Sequence, residues 1–341
     1  MIISRTPFRV SFVGGGSDLP AFCERQPGAV LSVTIDKAMY LTLHPYFDRG
    51  RTLLRYSRSE LVDSVEAIEH PIIREALRSM GIDGGVEISS SADVPAGTGL
   101  GSSSCFTVGL LHVLAAYQGR YASKEFLGSS ASHIEIEILK EPIGRQDQYA
   151  AAFGGLNVIE FLDGGRVSVE PVTLSRDVIC ALEDRLLMFY AGKQRSTRTI
   201  LADQGRNVAS DEEKFASTAQ MVDLVYQMRD ALFAADLATF GDLLHRNWEL
   251  KSSLSKHIST PMIDDAYESA RRAGARGGKL LGAGGGGFLL VYCEPERQPA
   301  LREALSQLDE FEFRFDLSGS SIIFTDGSDI RSRTGFVGRE G

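Results

Sequence analysis

The chain holds few cysteines, no long apolar run and no surplus of positive charge, and each shortage removes a class of function. Cys23, Cys105, Cys180 and Cys293 are scattered over 341 residues, with no CxxC and no zinc-ligand spacing. A disulfide framework and a zinc module are therefore not expected, and reduced thiols in a cytoplasmic protein fit best. The six histidines are isolated and form no zinc motif. No apolar stretch approaches the roughly 20 residues of a membrane span. The opening Met-Ile-Ile-Ser-Arg-Thr-Pro lacks the basic flank and apolar core of a signal peptide. A formal net charge of −9 argues against nucleic acid or an anionic membrane as the main partner. GxxxxGK[ST] occurs nowhere, which excludes the commonest phosphate loop, and the ordered motifs of protein kinases are missing too.

What is present is a soluble globular composition, 43% apolar and 24% charged, with ample core material. The length suggests about two domains on a prior of roughly 100–200 residues each. Short β-favouring runs fall at residues 9–13, 30–35, 39–44 and 52–56. A helix is predicted over 68–79, a strand over 86–90, and helices over 105–117 and 123–140. Strands at 157–161 and 167–172 flank Asp163-Gly-Gly165, a hairpin signal. From about 196 to 272 the pattern is helical, and strands return at 288–293 and 321–325 around a helix at 296–308. The last fifteen or so residues are polar and are expected to lack fixed structure. A soft boundary divides the chain into 1–178 and 179–341.

Residues 94–104, Val-Pro-Ala-Gly-Thr-Gly-Leu-Gly-Ser-Ser-Ser, carry the most information. Three spaced glycines let the backbone approach a ligand closely. The loop feeds a helix whose unpaired N–H groups favour an anion, and three hydroxyls stand ready for phosphate oxygens or their metal. Pro95, Gly97, Gly99, Leu100, Gly101, Ser102, Ser103 and Ser104 therefore read as a nucleoside triphosphate cradle. A flexible surface loop is the bland alternative, and Leu100 with the apolar helix behind it speaks against that.

Four further positions attract attention. On the helix Ser132-His-Ile-Glu-Ile-Glu-Ile-Leu-Lys140, Glu135 shares its face with Leu127, Ala131, Ile138 and Leu139, whereas Glu137 falls beside His133, Lys140 and Glu141. A carboxylate on a buried stripe needs an ion pair or a hard cation such as Mg²⁺. Asp147, in Gly144-Arg-Gln-Asp-Gln148, is either an N-cap or an acid working with Glu135. Near the start, Arg9 is a cation within an apolar strand, and Asp18 follows the glycine turn 14–16, as a local cap or a ligand for hydroxyls. The third glycine cluster contains GxGxxG at Gly282, Gly284 and Gly287. A dinucleotide fold needs a helix after that motif; a strand is predicted here instead, so the cluster reads as a turn closing over a ligand, with Gly284 and Gly285 at its centre.

Taken together, Pro7–Asp18, Pro95–Ser104 and Lys279–Gly287 resemble the three motifs of the GHMP family of small-molecule kinases, in order and across the whole chain. The resemblance implies a two-domain α+β fold, with an N-terminal left-handed crossover domain and a C-terminal domain of helices and a small antiparallel sheet. It implies ATP along the glycine loop and Mg²⁺ on Ser103 and Glu135. Asp147 would be the catalytic base, with Arg9 the cation beside it, and Asp18 would hold sugar hydroxyls. Galactokinases carry Glu-His where this chain has Gly15 and Gly16, which speaks against galactose and places those glycines against the substrate. The pattern looks most like the branch of heptose 7-phosphate kinases and fucokinases. A substrate already phosphorylated needs a basic patch, for which Lys193, Arg195 and Arg198 are the candidates; a solvated basic loop is the alternative. The implied partner is a small sugar or sugar phosphate, and a homodimer is left open. A sensor without catalysis on the same scaffold would not need Asp147, Glu135 and Ser103 together.

Overall fold

The computed structural model describes residues 1–192 and 197–326. Twelve strands are present among them: β1 (Ile2–Val13), β2 (Gly28–Pro45), β3 (Thr52–Arg55), β4 (Ser59–Val62), β5 (Val86–Ala92), β6 (Leu156–Phe161), β7 (Val167–Pro171), β8 (Leu186–Tyr190), β9 (Gly277–Leu280), β10 (Phe288–Tyr292), β11 (Asp309–Glu310) and β12 (Ser321–Thr325). The α-helices are α1 (Pro20–Cys23), α2 (Pro71–Ser79), α3 (Ser102–Tyr117), α4 (Lys124–Ser132), α5 (Gln146–Phe153), α6 (Arg176–Glu183), α7 (Thr197–Ser210), α8 (Glu212–Phe233), α9 (Leu237–Ser253), α10 (Pro261–Arg272) and α11 (Gln298–Ala304).

The larger sheet runs β12-β1-β2-β5-β3-β4, with β6 and β7 added alongside β2. Its pairs are antiparallel except β3 with β5. The two β-favouring runs at 30–35 and 39–44 fuse into the single strand β2. Its first half pairs with β6 and its second with β5, so one strand serves two neighbours and the sheet splays. The second sheet, β11-β8-β10-β9, is antiparallel throughout. Strand β12, near the end of the described chain, returns to pair with β1 in the first sheet.

Helix α3 is the central pillar. Eleven of its sixteen residues are buried, including Cys105, Phe106, Val108, Leu110, Leu111, Val113 and Leu114. That all-round burial makes α3 a rigid mount for whatever lies at its N-terminus. Helices α7–α10 fill the helical stretch expected from the sequence. The helix predicted over 123–140 ends differently: α4 stops at Ser132 and a π-helical turn follows over His133–Ile138. The wider turn ends the 3.6-residue spacing, so Ile138, expected on the buried face, is 40% exposed. Strands β4, β9 and β11 and helices α1 and α6 were not anticipated. The strands and α1 are only two to four residues long, and α6 is marked by its N-cap, the Ser175 side chain accepting from the Val178 N–H. The polar tail after 326 lies outside the described residues.

Candidate active site

The glycine loop leads from β5 into α3. The Thr98 hydroxyl donates to the Pro95 carbonyl at 3.0 Å and closes a turn. Gly99 has φ +87°, and a Cβ there would meet the Leu281 carbonyl oxygen at 2.5 Å; one on Gly282 would meet the Gly99 Cα at 2.5 Å. The second and third glycine segments thus interlock backbone to backbone, a contact open only to glycine. Helix α3 starts at Gly101 in the left-handed conformation with no side-chain cap, unlike α4, whose first turn is capped by Ser123. Its leading N–H groups therefore face the cleft without an internal acceptor, as anion binding requires. Gly97, Gly99, Gly101, Ser102, Ser103 and Ser104 line the cleft. Leu100 is buried and its carbonyl accepts from the Arg9 N–H at 3.3 Å, so it anchors the loop; Pro95 is exposed at the edge.

Glu135 is 1% exposed and has no basic neighbour within ion-pairing distance among the described residues. The structural ion pair weighed above is not what holds it. Four donors do: the hydroxyls of Ser103, Ser104 and Thr107 at 2.9, 2.8 and 3.0 Å, and the Gln148 amide at 2.6 Å. Burial pushes its carboxyl pKa up against the pull of these bonds. Ser103, exposed to the cleft, connects that carboxylate to the open space. Oxygen-only donors at a helix N-terminus suit Mg²⁺.

Arg9 sits where the β1–β2 register shifts. The irregularity re-aims its side chain out of strict alternation and into the cleft. Its Nε and Nη2 donate to the two Asp147 oxygens at 2.7 and 2.8 Å, and Nη1 donates to the Gly99 carbonyl at 2.7 Å. Asp147 lies inside α5 rather than at its cap, and no N-cap bond is made to it. A Cβ on Gly101 would come within 3.2 Å of Asp147 Oδ2, so the carboxylate abuts the start of α3. Arg9, Asp147 and the glycine loop form one unit. A buried cation clamps the acid in a fixed orientation beside the anion-binding helix end.

Asp18 is 4% exposed and accepts from the Gln146 backbone N–H at 3.2 Å, the Gln146 side-chain amide at 3.1 Å and the Gly16 N–H at 3.3 Å. Burial pushes its pKa up. Gly144 makes room for it: a Cβ there would fall 2.0 Å from Asp18 Oδ2. Gly16 lines the cleft, and Gly15 lies just behind it, where a Cβ would come 3.5 Å from Lys251 Nζ and Ser11 Oγ. Gly284 and Gly285, expected against the substrate, do not line the cleft. The Gly285 N–H donates to the Ile258 carbonyl at 2.9 Å, and a Cβ on Gly284 would strike the same carbonyl. Their role here is to pass the chain tightly behind Gly282 and Ala283, which do line it. Arg198 reaches the cleft but is exposed and holds Glu141 through Nε and Nη2 at 3.1 and 2.5 Å. Lys193 and Arg195 lie outside the described residues.

The cleft has a volume of about 480 Å³, within the range of small-molecule sites. Two groups of its lining residues escaped sequence reasoning. Met39, Tyr56, His70, Ile72 and Phe106 make an apolar, partly aromatic wall, with the His70 ring stacked on Phe106 at 5.1 Å and edge-on to Tyr56 at 4.7 Å. No local motif marks them, because they come from four separate elements. Gln204 and Lys251 are buried polar residues that also line the cleft. A signal for these existed: Ile200, Gln204 and Val208 fall on one helical stripe, and so do Leu244, Trp248 and Lys251. A polar residue on a buried apolar stripe is the same pattern that marks Glu135.

The sequence profile of the GHMP kinase N-terminal domain matches residues 64–155, and that of the C-terminal domain matches 228–311. Together they span about half of the chain. It belongs to the GHMP kinase family. Members are ATP-dependent phosphotransferases with sugar or alcohol acceptors, and that is the activity of this chain. The chain is 29% identical to the D-glycero-alpha-D-manno-heptose 7-phosphate kinase of Campylobacter jejuni, over 92% of this chain and 96% of that one. It is 27% identical to the bifunctional fucokinase/GDP-fucose pyrophosphorylase of Arabidopsis thaliana, over 90% of this chain but 31% of that larger protein. Its fold is similar to that of a D-glycero-D-manno-heptose 1-phosphate kinase from Bacteroides thetaiotaomicron, with TM-score 0.76, 26% identity, and 94% and 98% of the two chains covered. Among the described residues no helix is long and apolar enough to cross a membrane.

Proposed function

We propose that this GHMP kinase transfers the γ-phosphate of ATP to the anomeric hydroxyl of a heptose 7-phosphate, giving the 1,7-bisphosphate for nucleotide-activated heptose synthesis in the cytoplasm. The observation that carries the reading is the end-to-end likeness to a heptose 7-phosphate kinase, in a chain whose cleft is lined by the buried polar residues Asp18 and Gln204 together with Gln146. Gln204 supports a polyol: its side chain is fully buried in the cleft wall and neither amide atom has a partner among the described residues. A sugar hydroxyl can both donate to and accept from it.

The roles follow from position. The glycine loop and the start of α3 hold the ATP phosphates, and the wall of Tyr56, His70 and Phe106 packs against the base. Asp147, fixed by Arg9, accepts the acceptor hydroxyl proton. Ser103 and Glu135 would hold Mg²⁺, which when bound neutralises phosphate charge. Phosphoryl transfer is largely positioning and electrostatics, and this set supplies both. A hexose 1-kinase of fucokinase type is the second reading. One observation favours it: Arg198, the described cation nearest the basic segment, is already neutralised by Glu141. Measuring ADP release on free and phosphorylated heptoses and hexoses side by side decides between the two.

A further inference from the structure

Among the described residues three Lys and Arg side chains line the cleft, and two are already committed. Arg9 spends three donors on Asp147 and Gly99, and Arg198 is held at the exposed edge by Glu141. Lys251 is different. It is 5% exposed, projects from the last turn of α9, and donates to the Gly282 carbonyl at 2.9 Å. Among the described residues no carboxylate lies within ion-pairing distance of it. An ammonium has three donors, so two are left over in a group that is costly to bury without an anion.

Its location says which anion. Gly282, which Lys251 grips, packs directly on Gly99 of the nucleotide loop, and Nζ also lies against Gly15 of the first glycine turn. Lys251 therefore stands where the three glycine segments converge, on the same wall as Arg9 and Asp147. We propose that Lys251 binds the phosphoryl group in transit, donating to the γ-phosphate oxygens of ATP as they pass to the acceptor. In that step the acceptor oxygen bonds to the γ-phosphorus while the bond from phosphorus to the β–γ bridging oxygen breaks. ADP leaves with that electron pair, and the acceptor proton goes to Asp147. The inference rests on the kinase activity of the family and not on which sugar is the acceptor.

The ammonium is faced by Arg9 from β1, Asp18 from the turn after it, Asp147 from α5 and Lys279 from β9. Burial first, and then Arg9, lower its pKa to about 8 while the two aspartates oppose the shift. The charged form exists below that value and is lost above it. Activity that depends on it should fall on the alkaline side of pH 8.

Two substitutions test the role. Lys251→Met should weaken binding of a non-hydrolysable ATP analogue about 10- to 100-fold, the value of a lost charge-assisted bond, while ADP affinity stays within about twofold; both are measured by titration calorimetry, without turnover. Lys251→Arg should keep most of the analogue affinity and remove the alkaline limb of kcat/KM, because guanidinium stays protonated. Equal weakening of ADP and the analogue, or weakening of neither, overturns the proposal. So does a loss confined to acceptors that carry their own phosphate with ATP-analogue affinity unchanged, which would assign Lys251 to the acceptor's phosphate. If Lys251→Met fails to fold, an alkaline limb left unmoved in Lys251→Arg refutes the role by itself.

Discussion

Replacing Asp147 with Asn removes one charge from the centre of the site and changes almost no volume. The wild-type carboxylate takes two bonds from Arg9, at 2.7 and 2.8 Å. Asn keeps one oxygen for Nε and turns an amide donor towards Nη2, so one charge-assisted bond is lost, worth about 1.5–3 kcal/mol. Arg9, whose side chain is 6% exposed, retains Gly99 as a partner, so the variant should fold with modestly reduced thermal stability. Turnover should suffer far more, because a general base typically contributes about 10²–10⁴-fold. The assay is a coupled ADP-release measurement at saturating sugar and ATP, run beside calorimetric titration of an ATP analogue. Expected is a kcat lower by about 10²-fold or more, with analogue affinity close to wild type. A variant that keeps near wild-type kcat would show that Asp147 merely pairs with Arg9, and the assignment of the base would be wrong.

Glu135→Gln should raise the Mg²⁺ concentration needed for half-maximal activity, with partial recovery at high Mg²⁺ or with Mn²⁺, read from metal titrations of the rate. Gln148 has an unpartnered Oε1 and can turn it to accept from the new amide, so the fold should survive; unchanged metal dependence would exclude direct ligation. Gly144→Ala drives a Cβ into the space of Asp18 Oδ2, 2.0 Å away. It should cost on the order of 10²-fold in kcat/KM for the sugar through misplacement and leave ATP-analogue binding intact. Removing Lys193, Arg195 and Arg198 together should lower kcat/KM for a sugar phosphate by about 10- to 100-fold, chiefly through KM, and leave free sugars unaffected. Equal losses on both would assign the segment to pocket shape.

The catalytic side of the site was far more legible than the recognition side, for a physical reason. Phosphate binding uses backbone N–H groups, and a backbone brought that close demands glycine, which shows in the sequence as the clusters at 97–101 and 282–287. Glu135 was legible because a lone acid on a buried stripe is conspicuous. Its actual partners, the hydroxyls of Ser103, Ser104 and Thr107 with Gln148, were only half visible, although Thr107 lies one helical turn after Ser103. The apolar wall draws Met39 from β2, Tyr56 from the loop after β3, His70 and Ile72 from the start of α2 and Phe106 from α3, and no spacing rule links the four segments. The strand fusion in β2 and the return of β12 to β1 are tertiary pairings without a local signature. Gly284 and Gly285 misled for the same reason that glycine clusters inform. Close backbone approach can serve chain packing as well as a ligand, and here Ile258 is what they approach.

The decisive measurement is the specificity of the wild-type enzyme together with the identity of its product. With ATP and Mg²⁺, D-glycero-D-manno-heptose 7-phosphate should give a kcat/KM well above those of free heptose, mannose and L-fucose. Phosphorus NMR should then show a new anomeric phosphate signal alongside the original ester, one equivalent per ADP released. A preference for free L-fucose, or a product phosphorylated anywhere but the anomeric oxygen, would contradict the heptose assignment while leaving the chain a GHMP kinase.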